Sequence, residues 1–502
     1  MAPPEANAEH GSRHFGSRLV FTIFFISFGS AAFGFCNSAI GSTLGQPSFL
    51  STMGLDGPNG EALTSAILAV FFAGGIFGAI SHGLLADRYG RKMSAAVSAA
   101  IMIIGAAVCT GTSNVGVYIA FRFFCGWSSY QFLCTIPTWV TEITPPSHRG
   151  VLGNIIALNI GMGYVLASFI GVGFYFVNGN SQWRGTTGLQ ILFPALLLGA
   201  IYWLPESPRY LVSKGRHEEA LAILKSLHAR SGHQNDHYAE MECYQIQQQI
   251  NFDKERKMSY LEIFKHPTMR KRALITICLT WCMVDYGSAI YAALGYGTLD
   301  TLLFLAGWVC VVMVTPFVCM TFVDRVSRTY LFAAGFFSCM CTLIVEAALQ
   351  KNYLGTDNKA GLAGAVAMTY VYVFFYVMFL DGPMFFYIGE IWPSQVRAQG
   401  FTIGITAMCI SNLTWSAAAP TAFVTIGWKY YIFFIVQAAI GGIASLVWFP
   451  NTLGKPLEEI AALFGDTADV MVYQGDLDVS RFADGTGIKM PERADEIENV
   501  EK

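Results

Sequence analysis

Apolar positions in this chain come in long, nearly uncharged runs rather than in the alternating or heptad patterns of soluble elements. Runs over 19–40, 63–85, 93–111, 151–177, 185–204, 301–323 and 430–449 stand out. Each is close to the ~20 residues that cross a ~30 Å hydrocarbon core as a helix. Further spans are expected over 115–140, 273–297, 331–349, 363–387 and 400–424, which makes twelve. A membrane barrel would instead show alternating segments of ~10 residues. The first run is too long for the apolar part of a signal peptide, so it is expected to be retained.

Composition agrees with a chain immersed in lipid. Of 502 residues, 54% are hydrophobic and only 13% charged, against about 25% charged in soluble domains. The net charge of −3 gives no reason to expect a nucleic-acid partner. Of the twelve cysteines, all but Cys243 fall in or near apolar spans and none forms a CxxC pair. They read as small packing residues, and neither zinc nor a disulfide framework is expected. With no nucleophile motif, phosphate loop or metal-ligand cluster, neither an enzyme nor a cofactor is expected.

Lys and Arg mark the cytoplasmic side of such a chain. They follow the second span (Arg88, Arg91, Lys92), the fourth (Arg149), the eighth (Arg325, Arg328) and the tenth (Arg397), and they crowd 206–272. The loops at 41–62 and 112–114 have none, so both termini are expected in the cytoplasm. The expected order is a cytoplasmic tail over 1–18, a six-helix bundle over 19–204 and a cytoplasmic helical linker over 205–272. A second bundle over 273–449 and a polar, acidic cytoplasmic tail over 450–502 complete it.

An internal repeat ties the two bundles together. Glu142-x-x-Pro145-x-x-x-Arg149 returns as Glu390-x-x-Pro393-x-x-x-Arg397, with an offset of 248 residues for both Glu and Arg. Asp87-Arg88-Tyr89-Gly90-Arg91 returns as Asp324-Arg325-Val326-Ser327-Arg328, and Pro205-Glu206 has a weaker echo in Pro450-Asn451. The fold class expected is therefore an all-α membrane protein, with twelve transmembrane helices in two pseudo-symmetric six-helix bundles. Such halves rock about a central site, giving alternating access. Positive-inside anchoring explains the cations but not Asp87, Glu142, Asp324 and Glu390 at fixed spacing. Arg forks pair bidentately with carboxylates, so Asp87, Arg88, Arg91, Glu142 and Arg149, with Asp324, Arg325, Arg328, Glu390 and Arg397, are expected to form a cytoplasmic gating network.

Gly83-x-x-x-Asp87-Arg88-x-Gly90-Arg91-Lys92, Pro137-x-x-x-x-Glu142 through Arg149-Gly150, Pro205-Glu206-Ser207-Pro208-Arg209 and Pro450-x-x-x-Gly454-x-x-Leu457-Glu458-Glu459 stand in this order along the chain. Together they resemble the sugar porter family of the major facilitator superfamily, the fungal hexose-transporter-like members above all. The resemblance implies a membrane carrier holding a sugar or related small organic solute between its halves.

The expected solute site departs from that family. Its hexose carriers have a paired-glutamine pattern in the seventh span, where this chain has Trp281-Cys282-Met283-Val284-Asp285-Tyr286. The Trp place of the tenth span is held by Phe385, within Asp381-Gly382-Pro383-Met384-Phe385, and Ala157 stands where the fifth span has a Gln. Asn412 matches a family Asn, with Trp415 one turn on. Sugar hydroxyls need directed donors and acceptors, and each left unpaired costs roughly 1–3 kcal/mol. A less hydroxylated or differently held solute is thus expected, at Asn412, Trp415, Asp285, Tyr291 and Phe385.

Proton-coupled members of the family carry an Asp in the first span, partnered by an Arg in the fourth. Here Cys36 takes the Asp place while Arg122 keeps the Arg, which favours facilitated diffusion or coupling through another acid. A charge at mid-membrane costs about 2.5–3.5 kcal/mol on insertion scales and reads as functional by default. The coupling candidates are therefore Asp285, Asp381 and Arg122, and Glu346, near the outer end of its span, is expected at the interface. The partners expected are a small-molecule solute, the lipid bilayer (the plasma membrane) and, in a coupled carrier, protons. The competing functions are an exporter of a non-sugar fungal metabolite on the same scaffold, and a non-transporting nutrient receptor. Against the receptor stands the tail of only about fifty residues.

Overall fold

A computed structural model describes residues 17–144, 149–228, 239–240, 243–244, 246–247, 250, 259–283, 296–319, 321–323, 325–354, 356, 358–393, 396–453, 460 and 463–464. The described residues are overwhelmingly helical and include no strand. Residues 1–454 belong to one compact unit and 455–502 to another; all that follows concerns the first.

The first span runs as Ser17–Ile26 and Phe28–Leu44, jointed at Ser27, whose hydroxyl donates to the Ile23 carbonyl at 2.7 Å. The next four are Gly60–Tyr89, Arg91–Gly111, Val115–Ile143 and Arg149–Tyr175. The sixth is broken into Ser181–Leu189 and Leu192–Ala200. In the second half Pro267–Cys282 begins the seventh span, followed by Thr298–Cys319 and Arg328–Tyr353. The tenth runs Lys359–Tyr376, Val377–Asp381 and Gly382–Ile391, the eleventh Arg397–Thr425 and the twelfth Tyr430–Val447. Eight helices among the described residues are long and apolar enough to cross a bilayer.

Local chemistry sets the helix ends. Asn114 and Asn358 each accept two backbone N–H groups, capping the fourth and tenth spans at equivalent places in the two halves. In the tenth span Pro383 offers no N–H to the turn before it. The ladder there widens into a π turn over Val377–Asp381 before the helix resumes.

Large apolar side chains such as Phe21, Leu84, Ile104, Val314, Ile443 and Val447 are exposed on the outside, where only lipid would accept them. Inside, small residues let helices touch backbone to backbone. A Cβ on Gly74 would lie 2.0 Å from the Phe123 carbonyl, and one on Gly78 2.2 Å from that of Trp127. The second and fourth spans thus approach closely along this pair. A Cβ on Gly34 would lie 2.2 Å from the Ile160 carbonyl, which repeats the device between first and fifth spans. Across the molecule's midline, the second span packs on the eleventh and the fifth on the eighth.

Candidate functional site

Two groups of residues matter: a charged layer at the end bearing the repeated motifs, and polar side chains where the halves meet.

In the charged layer Arg91, at the start of the third span, donates from Nη2 to Glu142 Oε1 at 2.8 Å and from Nη1 to the Ala86 carbonyl at 3.0 Å. Ser207 donates to the other oxygen of Glu142, and Trp139 Nε1 donates to the Pro205 carbonyl at 3.2 Å. The second half repeats each element. Arg328 donates to Glu390 Oε1 at 3.2 Å and to the Val323 carbonyl at 2.6 Å. Thr452 donates to the other Glu390 oxygen, and the Tyr387 hydroxyl to the Pro450 carbonyl at 3.2 Å. Tyr387 lies 248 residues after Trp139, the offset of the Glu pair. The symmetry therefore reaches hydroxyls that motif reading passed over. Continuing the echo of Pro205-Glu206 by one residue sets Ser207 opposite Thr452, and that was the available signal.

The halves also differ here. Glu206 accepts the backbone N–H groups of Arg91, Lys92 and Ser207 at 2.9–3.3 Å, seating a carboxylate on the N-terminus of the third span. Burial pushes this carboxyl above the ordinary Glu range, against the pull of those donors. Asn451 stands in the corresponding place. Gly90 makes the fit possible: its φ of +94° favours glycine, and a Cβ would lie 2.4 Å from Glu206 Oε2.

Not every expected member joins this layer. Asp87 is exposed and only 3.8 Å contact links it to Arg91. Arg88 is also exposed, its guanidinium over the Tyr89 ring rather than on an acid. Arg325 is exposed, whereas Arg397 is half-buried and donates to the Trp392 carbonyl at 3.4 Å, two residues beyond Glu390. Asp324 and the side chain of Arg149 lie outside the described residues.

Toward the midline, Ile405 and Cys409 of the eleventh span belong to the core cluster of the first half, with Phe385 and Met408 packed against it. Asn412 follows at helical spacing on that face. It is buried, and its Oδ1 has no hydrogen-bond partner. From the other half Asn37 donates to the Tyr164 hydroxyl at 2.8 Å, and Tyr164 touches the core clusters of both halves. Neither residue was among the expected candidates. The Trp415 ring, expected at the solute site, lies against Phe433 of the twelfth span with centroids 4.1 Å apart. One helical turn from Asn412 thus points into the second half rather than toward the midline. Asp381 closes the π turn just before Gly382-Pro383. Asp285, Tyr286 and Tyr291 lie outside the described residues.

Arg122 is fully buried in the first half. Its guanidinium donates to the Cys36 sulfur at 3.6 Å and the Cys36 carbonyl at 3.4 Å, and lies 4.4 Å from the Phe71 ring centroid. No carboxylate among the described residues forms an ion pair with it, and its Nε is unpartnered. Glu346, expected near the outer end of its span, is buried against other helices and only 3% exposed. The turn on which it sits packs inward on other spans, and hydropathy cannot distinguish that face from the lipid face.

Comparison with known proteins agrees with this architecture. Residues 22–464 match the family described as Sugar (and other) transporter. The MFS-type transporter criB of Aspergillus cristatus is 28% identical over 446 residues, 86% of this chain and 90% of that protein. A high-affinity glucose transporter of Kluyveromyces lactis is 26% identical over 479 residues, 89% and 86% of the two chains. Among solved structures, the proton:xylose symporter XylE bound to 6-bromo-6-deoxy-D-glucose superposes with a TM-score of 0.74 at 20% identity, covering 90% of this chain and all of that one. The chain is thus a multi-pass membrane protein with the major facilitator fold, and it belongs to the sugar (and other) transporter family.

Proposed function

We propose that the chain carries a sugar or a related, less hydroxylated organic solute through a site between its halves, contacted by Asn412 and Phe385 from one side and by Asn37 and Tyr164 from the other. The observation that carries this reading is the buried, unpartnered Asn412 Oδ1 on the face of the eleventh span that meets the first half. An amide oxygen buried without a donor is costly, and a solute hydroxyl would supply that donor. Asp285 and Tyr291 remain candidates for the same site, while Trp415 contributes by holding the eleventh span to the twelfth. Relatives named as glucose and xylose transporters support the choice of solute class.

The paired charged layers are read as gates on the cytoplasmic face, closing the site when the halves meet there; the distribution of Lys and Arg supports that orientation and a plasma-membrane location. Arg122 without an acid at Cys36 supports a carrier that does not couple to protons through these two spans.

Counterflow of labelled D-glucose and D-xylose in proteoliposomes tests the site. Asn412→Ala should raise the half-saturating concentration about tenfold, the equivalent of one lost hydrogen bond to a buried partner. An unaltered value removes Asn412 from the site.

A further inference from the structure

Thr342, Glu346 and Gln350 recur every four residues on the ninth span, so they share one face. That face borders a narrow cavity lined by Trp308 of the eighth span, Thr342 and Glu346, Thr369 and Tyr372 of the tenth, and Tyr431 of the twelfth. Gln350 Nε2 donates to Glu346 Oε1 at 3.0 Å and to the Tyr431 hydroxyl at 2.7 Å. Glu346 Oε2 is buried and unpartnered.

Among the described residues, no cation forms an ion pair with this carboxyl. The titratable groups lining the cavity with it are Tyr372 and Tyr431. Two lysines lie near the end of the ninth span. Lys351 is exposed over the Trp428 ring, and Lys429 belongs to the 3₁₀ turn that packs on this span. Neither forms an ion pair with Glu346. An ionised carboxylate here would have one neutral donor for two oxygens, whereas the neutral acid needs far less solvation.

Pseudo-symmetry shows that the scaffold does not require an acid here. The 237-residue offset that relates Arg91 to Arg328 relates Cys109 to Glu346. The first half packs a buried thiol where the second has a carboxyl.

We propose that Glu346 is a proton-binding site of the C-terminal half, neutral while its cavity is sealed and ionised when the spans part and admit water. Its use in coupling rests on the carrier reading; the site itself does not, because it can be tested without a solute. The experiment is infrared titration of the protonated-carboxyl band in the reconstituted full chain, wild type against Glu346→Gln. The wild-type-minus-variant difference spectrum should carry a protonated-carboxyl band at acid pH, because the other acids of the chain cancel in it. Past its midpoint, the protonated fraction should fall about tenfold per pH unit. A band that persists at every pH, one that never appears, or one unchanged in the variant overturns the proposal. Should Glu346→Gln fail to fold, Glu346→Asp replaces it; the band must then survive with a displaced midpoint, and an undisplaced one is equally fatal. Proton-driven accumulation of labelled D-xylose, lost in Glu346→Gln while counterflow survives, would tie the site to transport. Accumulation unchanged in Glu346→Gln would remove it from coupling.

Discussion

Both oxygens of Glu142 and of Glu390 are occupied, one by an arginine and the other by a hydroxyl from the chain leaving the sixth or the twelfth span. The pairs differ in burial. The side chains of Arg91 and Glu142 are 13% and 12% exposed, while Glu390 is 28% exposed. Breaking a buried pair costs about 3–5 kcal/mol, and solvent reduces that figure. Glu142→Gln should therefore lower the apparent Tm in detergent clearly more than Glu390→Gln; equal losses would mean that burial is not what separates them. Cys36→Asp should raise the apparent Tm, since it offers a carboxylate to a buried guanidinium. A fall would show that Arg122 is already satisfied. For Glu206 the sign follows from its raised folded pKa. Its contribution to stability is full below the ordinary Glu range and is lost as pH rises through the folded value. Glu206→Gln removes that titration, so its Tm relative to wild type should climb with pH, and a constant difference would count against it. The acids and arginines of this layer were legible because they repeat. Ser207 and Thr452 were less so, because a hydroxyl at one position carries little signal without its partner.

Helices here are joined by what is missing from them. Second and fourth spans meet where Gly74 and Gly78 leave room for the Phe123 and Trp127 carbonyls. Gly78→Ala should push the two apart and cost about 1–3 kcal/mol, the usual penalty of overpacking a close contact, read as a lower Tm. An unchanged Tm would mean that the backbone yields freely. The π turn before Gly382-Pro383 is not written in hydropathy: proline fixes where a bond is lost, and neighbouring spans decide how the ladder closes again. The sixth span appeared as one apolar run although it is two helices, because hydropathy is blind to a break that stays apolar.

For the whole molecule, contacts between first and eighth spans must part if the end away from the charged layer opens. A Cβ on Gly45 would lie 2.8 Å from the Leu302 side chain. Cysteines at both positions, in a background cleared of reactive thiols, should cross-link on oxidation and stop counterflow, and reduction should restore it. Undiminished counterflow in the cross-linked protein would show that this contact never separates. Twelve spans, two halves and their relation were visible in the sequence, since membrane insertion demands long apolar runs and duplicated bundles keep duplicated motifs.

The sequence by itself determined that the chain crosses a bilayer repeatedly, that its halves are copies and that charged motifs recur in both. Those properties are written in local composition and spacing. Only the tertiary structure decided which face of each helix meets another helix and which meets lipid. Both are apolar, so no pattern of hydrophobicity separates them. That choice buried Glu346, turned Trp415 toward the twelfth span, left Asn412 without a donor beside the other half, and brought Asn37 to Tyr164 across 127 residues of chain.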